Sequence, residues 1–252
     1  MARKSVFGPA LVGTPLVAFL LLPPIALVVR GHSSFAQNLS QPESREAILV
    51  SLRTTFVALG ILIVLGMPLG WAIARSSSRF ARFVDGIIDL PLVLPPAAAG
   101  IALLLALGRN GLVPTGLPFT AGAVVAAQVF VAAPLFLRAA IAAFSAVPED
   151  VVEMARSEGA KGAALAMGIV LPLSGRTLMG GMAMTWARAL GEFGATILFA
   201  GSFQGRTETL PLAIYLGFET DLDQAVGLSL LLLLVAAVVL VLGRVVAGER
   251  AR

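Results

Sequence analysis

Long apolar runs dominate this chain and restrict what it can fold into. A helix crosses the hydrocarbon core of a bilayer when about 20 consecutive residues are predominantly apolar. Two such runs, 87–107 and 178–200, contain charged residues. The others carry no charge: 7–29, 54–74, 119–137 and 225–242. Because a helix satisfies its own backbone hydrogen bonds in lipid, the sequence predicts an all-α polytopic membrane protein with about six transmembrane helices.

Composition supports a single membrane domain over residues 1–252 and limits its chemistry. The chain is 58% hydrophobic and 13% charged, has no cysteine, and has one histidine, His32. Disulfides, thiolate chemistry and histidine or cysteine metal clusters are therefore excluded or nearly so, and no catalytic role is expected. The sequence has no GxxxxGK[ST] phosphate loop, so we expect neither ATP nor another cofactor to bind this chain. Basic residues at the ends of apolar runs, without interleaved aromatics, give no nucleic-acid surface.

Lysine and arginine predict the orientation, because cytoplasmic loops of membrane proteins carry an excess of both. They concentrate at the two termini and in alternate loops, including the loop at 145–172, while the acidic 206–223 loop falls on the opposite side. Both termini are therefore predicted to be cytoplasmic. The run at 7–29 is too long for a signal peptide, whose apolar core has about 7 to 15 residues, so we retain it as the first span.

The loop at 145–172 has the pattern of a short helix. Pro148 suits the first helical position, and Glu149 and Asp150 complement the positive end of the helix dipole. The pattern predicts a helix over 148–158, too short to span, ended by Gly159, with Val151, Met154 and Ala155 on one side. A second short helix follows, and Pro172 marks where the chain enters span five.

Two interpretations of this loop are open from the pattern alone. It could be an amphipathic hairpin on the membrane surface or a docking element for a protein. Its acids, Glu149, Asp150, Glu153 and Glu158, outnumber its bases, and anionic lipid headgroups favour basic faces. The charge balance therefore favours a protein partner.

The same loop resembles the EAA signature of bacterial and archaeal ABC importer permeases, with one departure, methionine for alanine at position 154. The resemblance implies a type I importer-like fold, present as a homodimer or paired with a sister permease. It also implies that the loop docks on a cytoplasmic ABC ATPase dimer, which binds the ATP and Mg. The residues that match this signature, and would carry the coupling, are Glu153, Met154, Ala155, Gly159, Ile169, Leu171 and Pro172.

Three further stretches, 90–111, 187–196 and 206–215, resemble the molybdate and tungstate permeases, whose relatives carry sulfate. The resemblance implies a multi-pass permease of the cytoplasmic (inner) membrane that imports tetrahedral oxyanions by alternating access. An extracytoplasmic oxyanion-binding protein would deliver the substrate. Sulfate or thiosulfate is the alternative cargo, and an ion-coupled secondary transporter is the rival class, since helices with a central Arg–Glu pair also suit ion coupling.

Charges and prolines within two spans mark candidate pathway residues. Arg188 and Glu192 lie four apart near the middle of span five, where they either neutralise each other or line a central cavity at a dimer axis. In span three, Asp89 precedes Pro95 and Pro96, which predicts a broken or kinked helix that either lines the pathway or simply packs. A GxxxG at Gly66 and Gly70 is interpreted as ordinary close helix packing.

Overall fold

The computed structural model describes residues 7–33 and 35–248, and no strand occurs among them. Single π-helical turns at Leu62–Gly66 and Ala166–Val170 join α3 to α4 and α10 to α11. The α-helices are α1 (Phe7–Gly31), α2 (Phe35–Ser40), α3 (Pro42–Ile61), α4 (Met67–Ala74), α5 (Arg79–Ile87), α6 (Leu90–Val93), α7 (Pro96–Leu107), α8 (Ala121–Ser145), α9 (Glu149–Ser157), α10 (Gly162–Leu165), α11 (Leu171–Leu190), α12 (Gly194–Ala200), α13 (Leu210–Thr220) and α14 (Leu222–Ala247).

The predicted all-α membrane fold is confirmed, with changed span boundaries. Among the described residues, five segments are long and apolar enough to cross a membrane: Gly13–Gly31, Pro42–Ala74, Ala121–Ser145, Gly162–Leu190 and Leu222–Val246. Spans two and four extend beyond the predicted 54–74 and 119–137, and Arg53 and Arg138 lie inside their helices. Hydropathy marks only the apolar part of a helix, whereas backbone hydrogen bonding continues past a charged residue.

Span three is broken, as the prolines predicted. Its two parts, Arg79–Val93 and Pro96–Leu107, are bent by 116° at the Leu94–Pro95 junction, and they make a sixth span only if counted together. Pro96 has no N–H to donate and begins α7, so a new helix starts where the previous hydrogen-bond ladder stops.

The predicted limits of span five were wrong at both ends. The helix does not begin beyond Pro172 but runs from Gly162 through Pro172 to Leu190, and it stops before the predicted end at 200. The π turn at Ala166–Val170 precedes the proline, with the Leu171 N–H bonded to Ala166 O. Such a local register shift accommodates a proline inside a membrane helix, and the π turn before Pro68 in α4 does the same.

Helix α8 lies at the centre of the bundle and packs against α3, α4, α11 and α12. Close approach depends on glycine, because a Cβ on Gly66 would lie 2.7 Å from the Phe136 ring and one on Gly70 would lie 2.8 Å from Ala140 Cβ. Both positions are buried. The packing interpretation of the GxxxG is therefore confirmed, and it brings span two directly onto span four.

Candidate functional site

The predicted short helix in the loop at 145–172 is present as α9 and lies within one residue of the predicted bounds at each end. Glu149 and Asp150 occupy its first turn, as expected for a helix N-terminus. Gly159 has a φ of +94° and Gly162 a φ of +52°, values that favour glycine. The two glycines permit the turn that leads from α9 into α10.

The faces of α9 differ from the prediction in one respect. Val152 is fully buried and belongs to the cluster formed by Phe144, Val147 and Val170. Met154, predicted on an apolar side with Val151 and Ala155, is instead 67% exposed. The bundle covers the side that carries Val152, and Ala155 packs at its edge. Glu153, Met154 and Glu158 are left as an exposed surface of acids around one apolar side chain.

The remaining residues of the coupling prediction lie where the loop joins span five. Ile169 is partly buried against the same core cluster and belongs to the π turn, and Leu171 packs there as well. Pro172 is exposed at the start of α11. A turn at 158–161 follows the short helix, and from Gly162 onward the backbone is helical without interruption into the long span.

Arg75 connects the start of α9 to the ends of spans two and four. Its Nη2 donates to Phe144 O at 3.0 Å and to Val147 O at 2.7 Å, and its Nη1 pairs with the Glu149 carboxylate. The guanidinium lies over the Trp71 ring, 4.9 Å from its centroid. These contacts give an additional donor to Phe144 O, in the last turn of α8, and a donor to Val147 O, just beyond that helix. This role was not predicted, because in the sequence Arg75 is only one of the basic residues that indicate which side of the membrane is cytoplasmic.

The breaks in spans three and five meet each other. A Cβ on Gly194 would clash with Pro96, and one on Gly100 would lie 2.8 Å from Ala195 O. Helices α7 and α12 are thus in close backbone contact, each beginning at a break. Pro95 and Pro96 form the N-terminus of α7, and both are exposed.

Arg188 and Glu192 form the predicted ion pair, but not on one continuous helix. α11 ends at Leu190, so Arg188 lies in its last turn and Glu192 follows the break. Arg188 Nη1 lies 3.2 Å from Glu192 Oε2, and the side chains are 37% and 1% exposed respectively. Glu192 Oε1 accepts the Ala195 N–H at 2.8 Å. The carboxylate therefore caps α12 as well as pairing with Arg188.

Asp89 is held by an arginine from span four. Arg138 Nε lies 3.1 Å from Asp89 Oδ1 and Nη2 lies 2.7 Å from Oδ2, a bidentate arrangement. The same guanidinium reaches Asp85 Oδ1 at 2.5 Å and Asp85 O at 2.9 Å. This triad secures α5 and α6 to α8. A partner for Asp89 was missed, because the sequence placed Arg138 outside the span.

The loop between α12 and α13 is held by buried polar groups. Thr207, fully buried, accepts the Phe203 N–H at 3.0 Å and donates to Gly201 O at 3.3 Å. Burial raises the pKa of the Glu208 carboxyl, and the charge of Glu46 adds to this rise. A hydrogen bond from Ser202 opposes it. Arg206, Gln204 and Phe203 remain exposed at the tip of this loop.

In the described ranges 7–33 and 35–248, no group of three or more His, Asp or Glu side chains could hold a metal ion. The four ion pairs there join Arg75, Arg138 and Arg188 to acids within the bundle or the loop. The described residues thus present an exposed surface on α9 and a helix break with a charged pair.

Residues 63–248 match the sequence profile of the family described as "Binding-protein-dependent transport system inner membrane component". The chain belongs to this family. It is a multi-pass component of the inner membrane with a transport role, not an enzyme. The profile covers all the breaks and the loop described above, and leaves α1 outside its limits.

Individual relatives cover most of the chain. The molybdenum transport system permease protein of Mycobacterium tuberculosis is 39% identical over 244 residues, which is 94% of this chain and 91% of the relative. The sulfate transport system permease protein of Synechococcus elongatus is 31% identical over 244 residues, covering 90% and 85%.

Solved structures support the same fold. A chain of a bacterial alginate ABC transporter, solved in complex with an alginate-bound periplasmic protein, matches with a TM-score of 0.73. The match covers 98% of this chain and 95% of that chain at 18% identity. This likeness shows that the two chains share one fold.

Proposed function

We propose that this chain is the permease subunit of an ATP-driven importer for tetrahedral oxyanions, with molybdate and tungstate as its principal cargo. The observation that carries the proposal is the 39% identity to a molybdenum permease over 94% of the chain. Sulfate or thiosulfate is the second candidate, because a sulfate permease is 31% identical over 90% of it. The higher identity favours molybdate.

The exposed side of α9 suits a protein groove. Met154 offers an apolar side chain between Glu153 and Glu158, and the opposite side is fixed to the bundle through Val152. In this proposal a partner ATPase, which would bind ATP and Mg, engages this surface, and its motion passes through Gly159 and α10 into this chain. Both termini and the loop are then cytoplasmic, following the excess of basic residues on that side.

Two copies, or this chain and a sister permease, would surround one pathway, with one coupling loop contacting each ATPase. An extracytoplasmic binding protein would deliver the oxyanion to the opposite side, where the tip of the 201–209 loop is exposed. Alternating access follows when ATPase closure moves α9 and, through the continuous helix from Gly162, shifts span five.

Within the pathway, we assign the anion-facing role to Arg188 rather than to Glu192. The Glu192 side chain is 1% exposed and caps α12, so it is not available to a cargo ion. Arg188 is more than a third exposed, and its cation attracts an oxyanion while Glu192 keeps it positioned. Asp89, Pro95 and Pro96 shape the facing break instead of binding the anion, since Asp89 is occupied by Arg138.

Uptake in vesicles tests the cargo. The chain is reconstituted with its ATPase and binding protein, and radiolabelled molybdate and sulfate are compared at equal concentration. ATP-dependent molybdate accumulation that excess unlabelled tungstate suppresses, with little sulfate uptake, supports the proposal. Sulfate uptake that molybdate does not compete with would replace molybdate with sulfate as the cargo.

Co-purification tests the coupling surface separately. The tagged native chain should retain an ATPase, whereas Glu153→Lys combined with Gly159→Asp should lose it. Glu219→Lys, a charge reversal at an exposed residue of α13, serves as the control and should retain it. A well-folded native chain that retains no ATPase would contradict the coupling role and favour a secondary transporter.

A further inference from the structure

Helix α5 presents three distinct faces. Ala81 and the residue just past the end of the helix, Ile88, face the bundle, and both are 7% exposed. Phe80 is 72% exposed, Phe83 64% and Ile87 42%, at the spacing of one helical stripe. The exposed Arg79 and Arg82 lie on the remaining side of the helix.

The acids of this region are paired with an arginine of the neighbouring helix. Asp85 and, beyond the helix, Asp89 both bind Arg138 of α8. Within the part of the chain that the structure describes, neither Arg79 nor Arg82 belongs to an ion pair. The outer surface of α5 therefore carries aromatic side chains beside unpaired cations, while its two carboxylates share the guanidinium of Arg138.

The position of α5 matches a membrane interface. Four residues separate the end of α4, which closes span two, from the first residue of α5, Arg79. Ser78 precedes the helix and caps it, because its Oγ accepts the Ala81 N–H at 3.1 Å. The segment Arg79–Val93 is bent by 116° relative to α7. The two segments therefore do not form one straight transmembrane helix. Because α7 is the apolar part of span three, a segment that meets α7 at this angle lies closer to the membrane plane than to the membrane normal.

We propose that α5 is an interfacial helix that binds anionic lipid headgroups. Phe80, Phe83 and Ile87 insert among the acyl chains near the surface, while Arg79 and Arg82 contact lipid phosphates. Aromatic residues on one face and arginines on another are the features by which amphipathic helices bind anionic membranes. The Arg138 triad has two effects here: it fixes α5 to span four, and its one cation offsets part of the negative charge that would repel the lipid.

An anionic lipid surface fits these faces better than a second copy of the chain does. A protein interface of comparable size would be expected to supply acids to the two arginines, and the acids on α5 itself are already occupied. The proposed orientation assigns α5 to the cytoplasmic leaflet, whose negative surface potential attracts such cations. The assignment of the leaflet rests on the proposed function, but lipid contact can be measured without transport.

The chain has no cysteine, so one introduced cysteine gives it a single labelling site, and the unsubstituted chain in the same assembly measures the background. Phe83→Cys, labelled with bimane in the assembled transporter, is placed in vesicles that contain a small fraction of nitroxide-labelled phosphatidylglycerol or nitroxide-labelled phosphatidylcholine. We expect quenching by both lipids, with phosphatidylglycerol effective at a mole fraction lower by up to about 25-fold, the product for two arginines. Each arginine near an anionic surface contributes a preference of about fivefold.

The arginines are tested in the same labelled protein. Arg79→Gln with Arg82→Gln should remove the preference for phosphatidylglycerol and leave quenching by phosphatidylcholine. Arg176→Gln, which removes an exposed arginine of α11, should keep the preference.

Three results would overturn the proposal. Equal quenching by the two lipids in the native background would remove the role of headgroup charge. Quenching by aqueous iodide but by neither lipid would place α5 in water. Disulfide cross-linking between two copies of the unlabelled Phe83→Cys variant, without lipid quenching of the labelled one, would assign this face to an interface between permeases. Because none of these readouts uses molybdate, they are independent of the cargo assignment.

Discussion

Removing either partner of the Arg188–Glu192 pair should have unequal effects on stability, because the two side chains are unequally buried. Glu192 is 1% exposed and Arg188 is 37% exposed. Arg188→Met leaves a carboxylate buried with the Ala195 N–H as its remaining partner. Glu192→Gln keeps an oxygen to cap α12 and leaves the arginine partly accessible to solvent.

The magnitudes follow from these environments. Breaking a buried ion pair by removing one partner costs about 3–5 kcal/mol. Partial exposure of Arg188 screens the pair, so we expect Arg188→Met to lower the free energy of unfolding by about 2–4 kcal/mol. Glu192→Gln should cost about 1 kcal/mol, since the capping hydrogen bond remains. The double variant should cost less than Arg188→Met alone, because no unpaired charge is left.

Unfolding in mixed micelles of increasing denaturing-detergent content measures these free energies for the native chain, both single variants and the double variant. Additive losses, or a Glu192→Gln loss that equals the Arg188→Met loss, would refute the reasoning. Transport by the same four proteins separates stability from function. If Arg188 attracts the oxyanion, the double variant recovers stability but not uptake; recovery of both would leave the pair a structural role only.

Three further expectations concern packing, coupling and pH. Gly66→Ala should destabilise the fold by about 1–3 kcal/mol, because the added Cβ would lie 2.7 Å from the Phe136 ring. Gly60→Ala is the control and should not destabilise the fold, because nothing lies within 4 Å of its added Cβ. Unfolding in denaturing detergent compares the two variants. Arg75→Lys keeps the charge but loses the forked contacts, so hydrogen exchange in α9 should accelerate; unchanged exchange would contradict the role of Arg75. The pKa of Glu208 is raised above its usual 4.5, so its contribution to the stability of the 201–209 loop should be fully present below that pH and lost as pH rises through the higher folded value. Hydrogen exchange in that loop between pH 4 and 8 should show this trend in the native chain and lose most of it in Glu208→Gln.

The sequence by itself determined the fold class, the family and the short helix in the loop at 145–172. Apolar runs of about 20 residues leave a helix as the only backbone that satisfies its hydrogen bonds in lipid. Helix α9 was also predictable to within one residue, because Pro148, the acids in its first turn and Gly159 are local signals that act within a few residues. The coupling roles of Glu153 and its neighbours remain predictions from resemblance.

Only the tertiary structure decided which charges are paired and where span five ends. Arg138 meets Asp85 and Asp89 across separations of 53 and 49 residues, and Arg75 meets Glu149 across 74, distances that no local pattern encodes. Glu192 appeared to continue one helix with Arg188, but the close contact of Gly194 with Pro96 accompanies a new helix there. Local patterns specify helices through nearby hydrogen bonds, whereas the packing of distant helices determines where those helices break and which partners their charges find.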